Sequence, residues 1–142
     1  MKKNILLLTL SSFFFSCSDN GFNNKNPYLP DYGHFTVDIN MSFYENLKYS
    51  NNGVYYPAVG IRGIIIFNTG YGFNVFDAAC PNQKPLEACS TMTINGNNAV
   101  CPCDNAEYSL FSGQCIGKLC TGKQYAMKQY RVEVNGNILR VY

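Results

Sequence analysis

The chain has 142 residues, room for one small domain and a leader but not for two domains. Its 11 Lys and Arg stand against 9 Asp and Glu, and with no cluster of cations among them a nucleic-acid partner is excluded. Twelve Gly, 11 Tyr, no Trp and seven Cys describe a small exported β protein.

In chain order, the first element is a leader. Met1-Lys2-Lys3 is a basic start, and the apolar stretch from Ile5 to Phe15 is too short to span a bilayer. Ser16 is a small residue set before Cys17. This is the pattern of a bacterial lipoprotein signal over residues 1–16, with the Cys17 thiol diacylated and left as the new N-terminus after cleavage. Ser18 directs such a protein to the outer membrane. The expectation is a lipid-anchored protein of the bacterial cell envelope, with the membrane as one partner. Without Lys2 and Lys3 the cations fall to nine, equal to the 9 anions. The mature chain is therefore neutral, and its basic pI says nothing about partners.

Residues 17–31 are polar, carry Pro27 and Pro30, and have no period; they read as a tether. From residue 32 to 142 the pattern is β. Phe35, Val37 and Ile39 alternate with polar residues. Arg62-Gly63-Ile64-Ile65-Ile66-Phe67 is a β-branched run suited to a buried strand, and Asn68-Thr69-Gly70 turns it into Phe73-Asn74-Val75-Phe76. Asn95-Gly96 and Asn135-Gly136 lie between apolar runs and signal hairpins. Tyr130, Val132 and Val134 alternate before the second of them. No stretch has helical period, so the fold class is all-β, built of short antiparallel strands. With Cys17 lipidated, six cysteines remain, and six permit fifteen pairings.

The second half carries a family resemblance. Cys80-Pro81-Asn82 is followed by Cys101-Pro102-Cys103-Asp104-Asn105-Ala106-Glu107-Tyr108-Ser109-Leu110-Phe111-Ser112-Gly113. This segment is similar, without a gap, to the pattern C-P-C-H-G-S-x-[FY]-D-x-x-[ST]-G of Rieske [2Fe-2S] domains. Lys128 to Gly136 resembles the closing hairpin of that family. The resemblance runs from about Gly60 to Tyr142, and His34 to Tyr56 would supply the first strands of the base sheets. It implies stacked antiparallel sheets with two cysteine loops at one tip. A Rieske cluster is held by two thiolates on one iron and two imidazoles on the other. Here Cys80 and Cys101 match the thiolates, but Asn82 and Asp104 stand at the two histidine positions. Ala106 replaces a serine that donates to a bridging sulfide in high-potential members. The cover loop has become Gly117-Lys118-Leu119-Cys120-Thr121-Gly122, without proline. The single histidine, His34, lies far upstream and reads as a solvent-facing strand residue.

The resemblance also implies a disulfide framework. In one branch of the family a bridge joins the two cluster loops at positions matching Cys89 and Cys103. Cys80 and Cys101, which would share one iron, are placed to join each other without it, and Cys115 and Cys120 would close a small local loop. Rieske proteins of the envelope travel folded through a twin-arginine route, whereas this leader has Lys2-Lys3 and suits export of an unfolded chain.

Three readings follow. The first is a cluster-free, disulfide-stapled Rieske-fold lipoprotein without cofactor, acting as a binding or assembly component for an envelope protein. The second is an electron carrier holding a 2Fe-2S cluster through Cys80, Cys101, Asp104 and one further thiolate, Cys103 or Cys89. The third, ranked last, is a thiol–disulfide exchanger at Cys101-Pro102-Cys103, a motif with no helix start or neighbouring cation evident in the sequence to activate a thiol. No Ser–His set, phosphate loop or paired carboxylates point to an enzyme; the chain is at most an electron-transfer component.

Overall fold

The computed structural model describes residues 26–30 and 34–142. The signal segment 1–16, Cys17 and the tether up to residue 25 lie outside the described residues.

Eleven short strands follow the expected pattern. They are β1 (Val37–Asn40), β2 (Asn52–Tyr56), β3 (Ile64–Asn68), β4 (Phe73–Asp77), β5 (Thr93–Asn95), β6 (Asn98–Val100), β7 (Glu107–Ser109), β8 (Cys115–Ile116), β9 (Gln129–Tyr130), β10 (Val132–Asn135) and β11 (Ile138–Val141). The helical content among the described residues is two 3-10 turns, Met41–Phe43 and Glu45–Lys48, between β1 and β2. The strands form three antiparallel sheets with orders β1-β11-β10, β2-β3-β4-β9 and β5-β6-β7-β8.

Within the central sheet, β3 is buried on both faces, which is why its sequence lacks alternation. Ile64, Ile65, Ile66 and Phe67 are all fully buried. Ile65 and Phe67 join a core with Phe76, Ala99, Tyr108 and Leu110, toward the β5–β8 sheet. Ile64 and Ile66 join a second core with Ile39, Leu47, Leu139 and Val141, toward the β1–β11–β10 sheet. A strand between two layers needs an apolar residue at every position.

Both expected hairpins form, one residue displaced from the Asn-Gly reading. Asn95 pairs with Asn98 and Asn135 with Ile138, so each asparagine ends a strand and the glycine takes the first linking position. Gly96 and Gly136 have φ of 58° and 57° there, the left-handed conformation a two-residue hairpin with glycine first requires. A second difference concerns the run from Tyr130 to Val134. It is divided at Arg131: β9 pairs with β4 in the central sheet, and β10 with β11 in the outer one. Arg131 and Tyr142 exchange backbone hydrogen bonds at 2.9 and 3.0 Å, so one stretch of chain serves two sheets.

Candidate functional site

Two connections converge at one end of the β5–β8 sheet: residues 78–92, between β4 and β5, and residues 101–106, the β6–β7 hairpin loop. The first is anchored at its base, where the Cys80 N–H donates to Ser90 O (2.8 Å), the Met92 N–H donates to Ala78 O (2.7 Å), and Ala79 bridges Thr91. The second is closed by hydrogen bonds from the Cys101 N–H to Ala106 O (2.9 Å) and from the Asn105 N–H to Cys101 O (2.8 Å).

Disulfides join Cys80 to Cys101, Cys89 to Cys103 and Cys115 to Cys120, with Cα separations of 5.5, 5.0 and 5.8 Å, all within the range such bonds need. The first two tie the loops together. Cys80 and Cys101 are buried and belong to the tip-side core, whereas Cys89 is exposed and Cys103 half-buried.

Asn82 and Asp104 hold structure together. The Asn82 amide donates to the Tyr108 hydroxyl (2.8 Å) and to Tyr125 O (3.4 Å), and its carbonyl accepts from the Tyr125 N–H (3.0 Å). It thereby fastens the proline-free segment after Cys120 onto the tip. Asp104 accepts from the Gln83 amide (2.9 Å) across the two loops and from the Ala106 N–H (3.0 Å) within its own. Ala106 itself is buried. Burial pushes the Tyr108 phenol above its usual range; the Asn82 hydrogen bond opposes this, and the Asp104 charge adds to it.

Three features of the site had no counterpart in the sequence patterns. Asp77, at the end of β4, is fully buried and accepts from the N–H groups of Ile61 (2.6 Å), Arg62 (3.3 Å) and Ala79 (2.8 Å) and from the Tyr130 hydroxyl (2.8 Å). It fixes the turn before β3 against the root of the first cysteine loop. Arg62 in that turn donates to the Thr91 hydroxyl (2.8 Å) and to Ala88 O (3.5 Å), which sets a guanidinium beside the residue preceding Cys89. Residues 26–30, read by composition as tether, pack on the tip: Asn26 and Leu29 are buried, Asn26 donates to Pro81 O (2.6 Å), and Tyr28 meets Tyr125 edge-on at 6.2 Å. His34 is exposed and precedes β1.

Among the described residues, the side chains close enough to share one metal ion are Cys80, Cys101 and Cys103, whose sulfurs all lie within 4.8 Å of one another. Asp104 is outside that set, and the Asn82 amide is committed to Tyr108 and Tyr125. A Rieske cluster needs two imidazoles facing two thiolates. The donors present, three sulfurs and no nitrogen ligand, do not fit it.

Three stacked antiparallel sheets ending in two disulfide-linked cysteine loops define a Rieske-like domain. No protein-family profile and no curated protein matches the chain, but its three-dimensional form matches solved structures of this class. It is similar to a chain from the complex of reduced oxygenase and oxidised ferredoxin in carbazole 1,9a-dioxygenase (TM-score 0.52, 16% identity, 77% of this chain and 94% of that one). It is similar to the ferredoxin of carbazole 1,9a-dioxygenase from Nocardioides aromaticivorans (TM-score 0.50, 12% identity, 76% and 97%). It also resembles a quaternary ammonium Rieske monooxygenase (TM-score 0.56, 15% identity), covering 83% of this chain but 33% of that longer one. At these identities the likeness is one of fold.

Proposed function

We propose that this chain is a lipid-anchored protein of the bacterial cell envelope whose Rieske-like domain works without an iron–sulfur cluster, as a binding or assembly component for another envelope protein. The observation that carries the reading is the Cys80–Cys101 bond. The two sulfurs that the resemblance assigns to iron are joined to each other, while Asn82 and Asp104 spend their polar atoms on cross-loop hydrogen bonds. The lipobox at Cys17 supports the anchor, and Ser18 supports the outer membrane as its place. Protein prepared aerobically with its own leader is expected to be colourless, with no iron, no acid-labile sulfide and no free thiol. Labelled fatty acid is expected at Cys17, and Cys17→Ser should release the chain from the membrane fraction. A brown preparation with two irons per chain, or an unlabelled wild-type chain, would overturn the respective part.

The three-sulfur group favours a second reading, a 2Fe-2S electron-transfer protein with non-standard ligands. Its set would be Cys80, Cys101 and Cys103, in place of Asp104. That reading requires all three of these cysteines to be free of disulfides in the isolated protein, which thiol titration of the same sample decides.

A further inference from the structure

The two tip disulfides differ in exposure and share a neighbourhood. Cys89 is exposed and Cys103 half-buried, whereas Cys80 and Cys101 are buried. The Cys103 sulfur nevertheless lies within 4.8 Å of both buried sulfurs. Reduction by a thiol starts at the more accessible bond, and here that is Cys89–Cys103, whose Cys89 is the exposed residue of the four. The Arg62 guanidinium, held on Ala88 O and the Thr91 hydroxyl, places a positive charge beside the residue that precedes Cys89. A cation there favours approach of an attacking thiolate.

We infer that the tip is a thiol–disulfide relay, which accepts an electron pair from a dithiol at exposed Cys89 and delivers it to buried Cys101 by moving the inner disulfide onto Cys103. In the first step a thiolate of the dithiol attacks the Cys89 sulfur, a mixed disulfide forms, and Cys103 leaves as thiolate. The second thiol of the dithiol then attacks its own sulfur in the mixed disulfide. The dithiol departs as a disulfide, and Cys89 takes up a proton as a thiol. In the third step the Cys103 thiolate attacks the Cys80 sulfur: the Cys80–Cys101 bond breaks, a Cys80–Cys103 bond forms, and Cys101 takes a proton. The dithiol has lost two electrons and two protons, and the domain has gained both; one disulfide is left at the tip, Cys115–Cys120 is untouched, and Cys89 and Cys101 are thiols. Attack at Cys80 rather than Cys101 avoids the strained ring that two cysteines one residue apart would close. It also keeps the two loops covalently joined throughout.

The partner class is a dithiol, in a protein or a small molecule. The sequence offered only the C-x-C spacing for such chemistry; the exposed Cys89, the guanidinium near it and the third sulfur beside the inner pair come from the fold. The relay stands apart from the question of lipidation, since it needs only the oxidised domain.

The test uses the intact oxidised protein with a limiting amount of dithiothreitol, followed by an acid quench, thiol labelling with N-ethylmaleimide and tandem mass mapping. In most molecules that have lost one disulfide, the labels are expected on Cys89 and Cys101, with Cys80 bonded to Cys103. Labels confined to Cys89 and Cys103, or chains in which all four thiols open together, would overturn the relay. A second route needs no reductant. Cys89→Ser leaves Cys103 with a free thiol against the inner pair, and that single thiol is expected to be found on both Cys103 and Cys101. A label on Cys103 alone in the folded variant would overturn the relay, and if this variant fails to fold, the wild-type mapping still decides.

Discussion

Tyr108 stands where the sequence resemblance expects an aromatic residue, and its hydroxyl accepts from Asn82, which the same resemblance sets at a histidine position. Burial raises its pKa. In the unfolded chain the phenol loses its proton near pH 10, while the folded phenol keeps it to higher pH. Above that point the unfolded state binds fewer protons, so stability is full below about pH 10 and falls as pH rises through the folded value. Tyr108→Phe is expected to flatten this alkaline decline, read from urea midpoints between about pH 8 and pH 11; an equal slope in both proteins would assign it elsewhere. At this scale the cysteines, Asn82 and Asp104 were legible from sequence because a motif frames them. Asp77 and Arg62 were not. Several of their partners are far along the chain, with Tyr130 53 residues from Asp77 and Thr91 29 from Arg62, and no local pattern announces such meetings.

The strand β3 divides its side chains between two cores, which gives adjacent residues different responsibilities. Ile65 packs on the side of the cysteine loops and Ile66 on the side of β1 and β11. Truncating either to alanine is expected to cost about 2–5 kcal/mol, but the loss should appear in different places. Hydrogen exchange should show Ile65→Ala loosening the β5–β8 hairpins and Ile66→Ala loosening the β1–β11 pairing. Equal loosening of both outer sheets by either variant would mean that the cores are a single cooperative unit. The burial of β3 was readable in its unbroken β-branched run. The division of the Tyr130–Val134 alternation between two sheets was not, because a strand that changes partners keeps the same inward and outward rhythm.

For the whole molecule, three cross-links hold a domain with small cores. The pairs are 21, 14 and 5 residues apart for Cys80–Cys101, Cys89–Cys103 and Cys115–Cys120. On chain-entropy grounds the two tip bridges contribute roughly 3 kcal/mol each and the short loop about 2. Paired serine replacements should therefore rank in that order in guanidinium midpoints, with Cys115→Ser/Cys120→Ser the mildest; if that pair proved the most damaging, native contacts rather than loop length would set the scale. The overall architecture was legible because the cysteine frame and the hairpin signals agree with it. The docking of residues 26–30 was not, since Asn-Pro-Tyr-Leu-Pro has the composition of a linker and shows its role only against Pro81 and Tyr125. That contact sets a leash. Cys17 and Asn26 are nine residues apart, and such a length of chain reaches at most about 30 Å when fully stretched. Under the proposed lipidation of Cys17, the disulfide end of the molecule would thus be held within that reach of the bilayer. If that anchor holds, a redox partner of the tip would have to work within about 30 Å of the membrane surface.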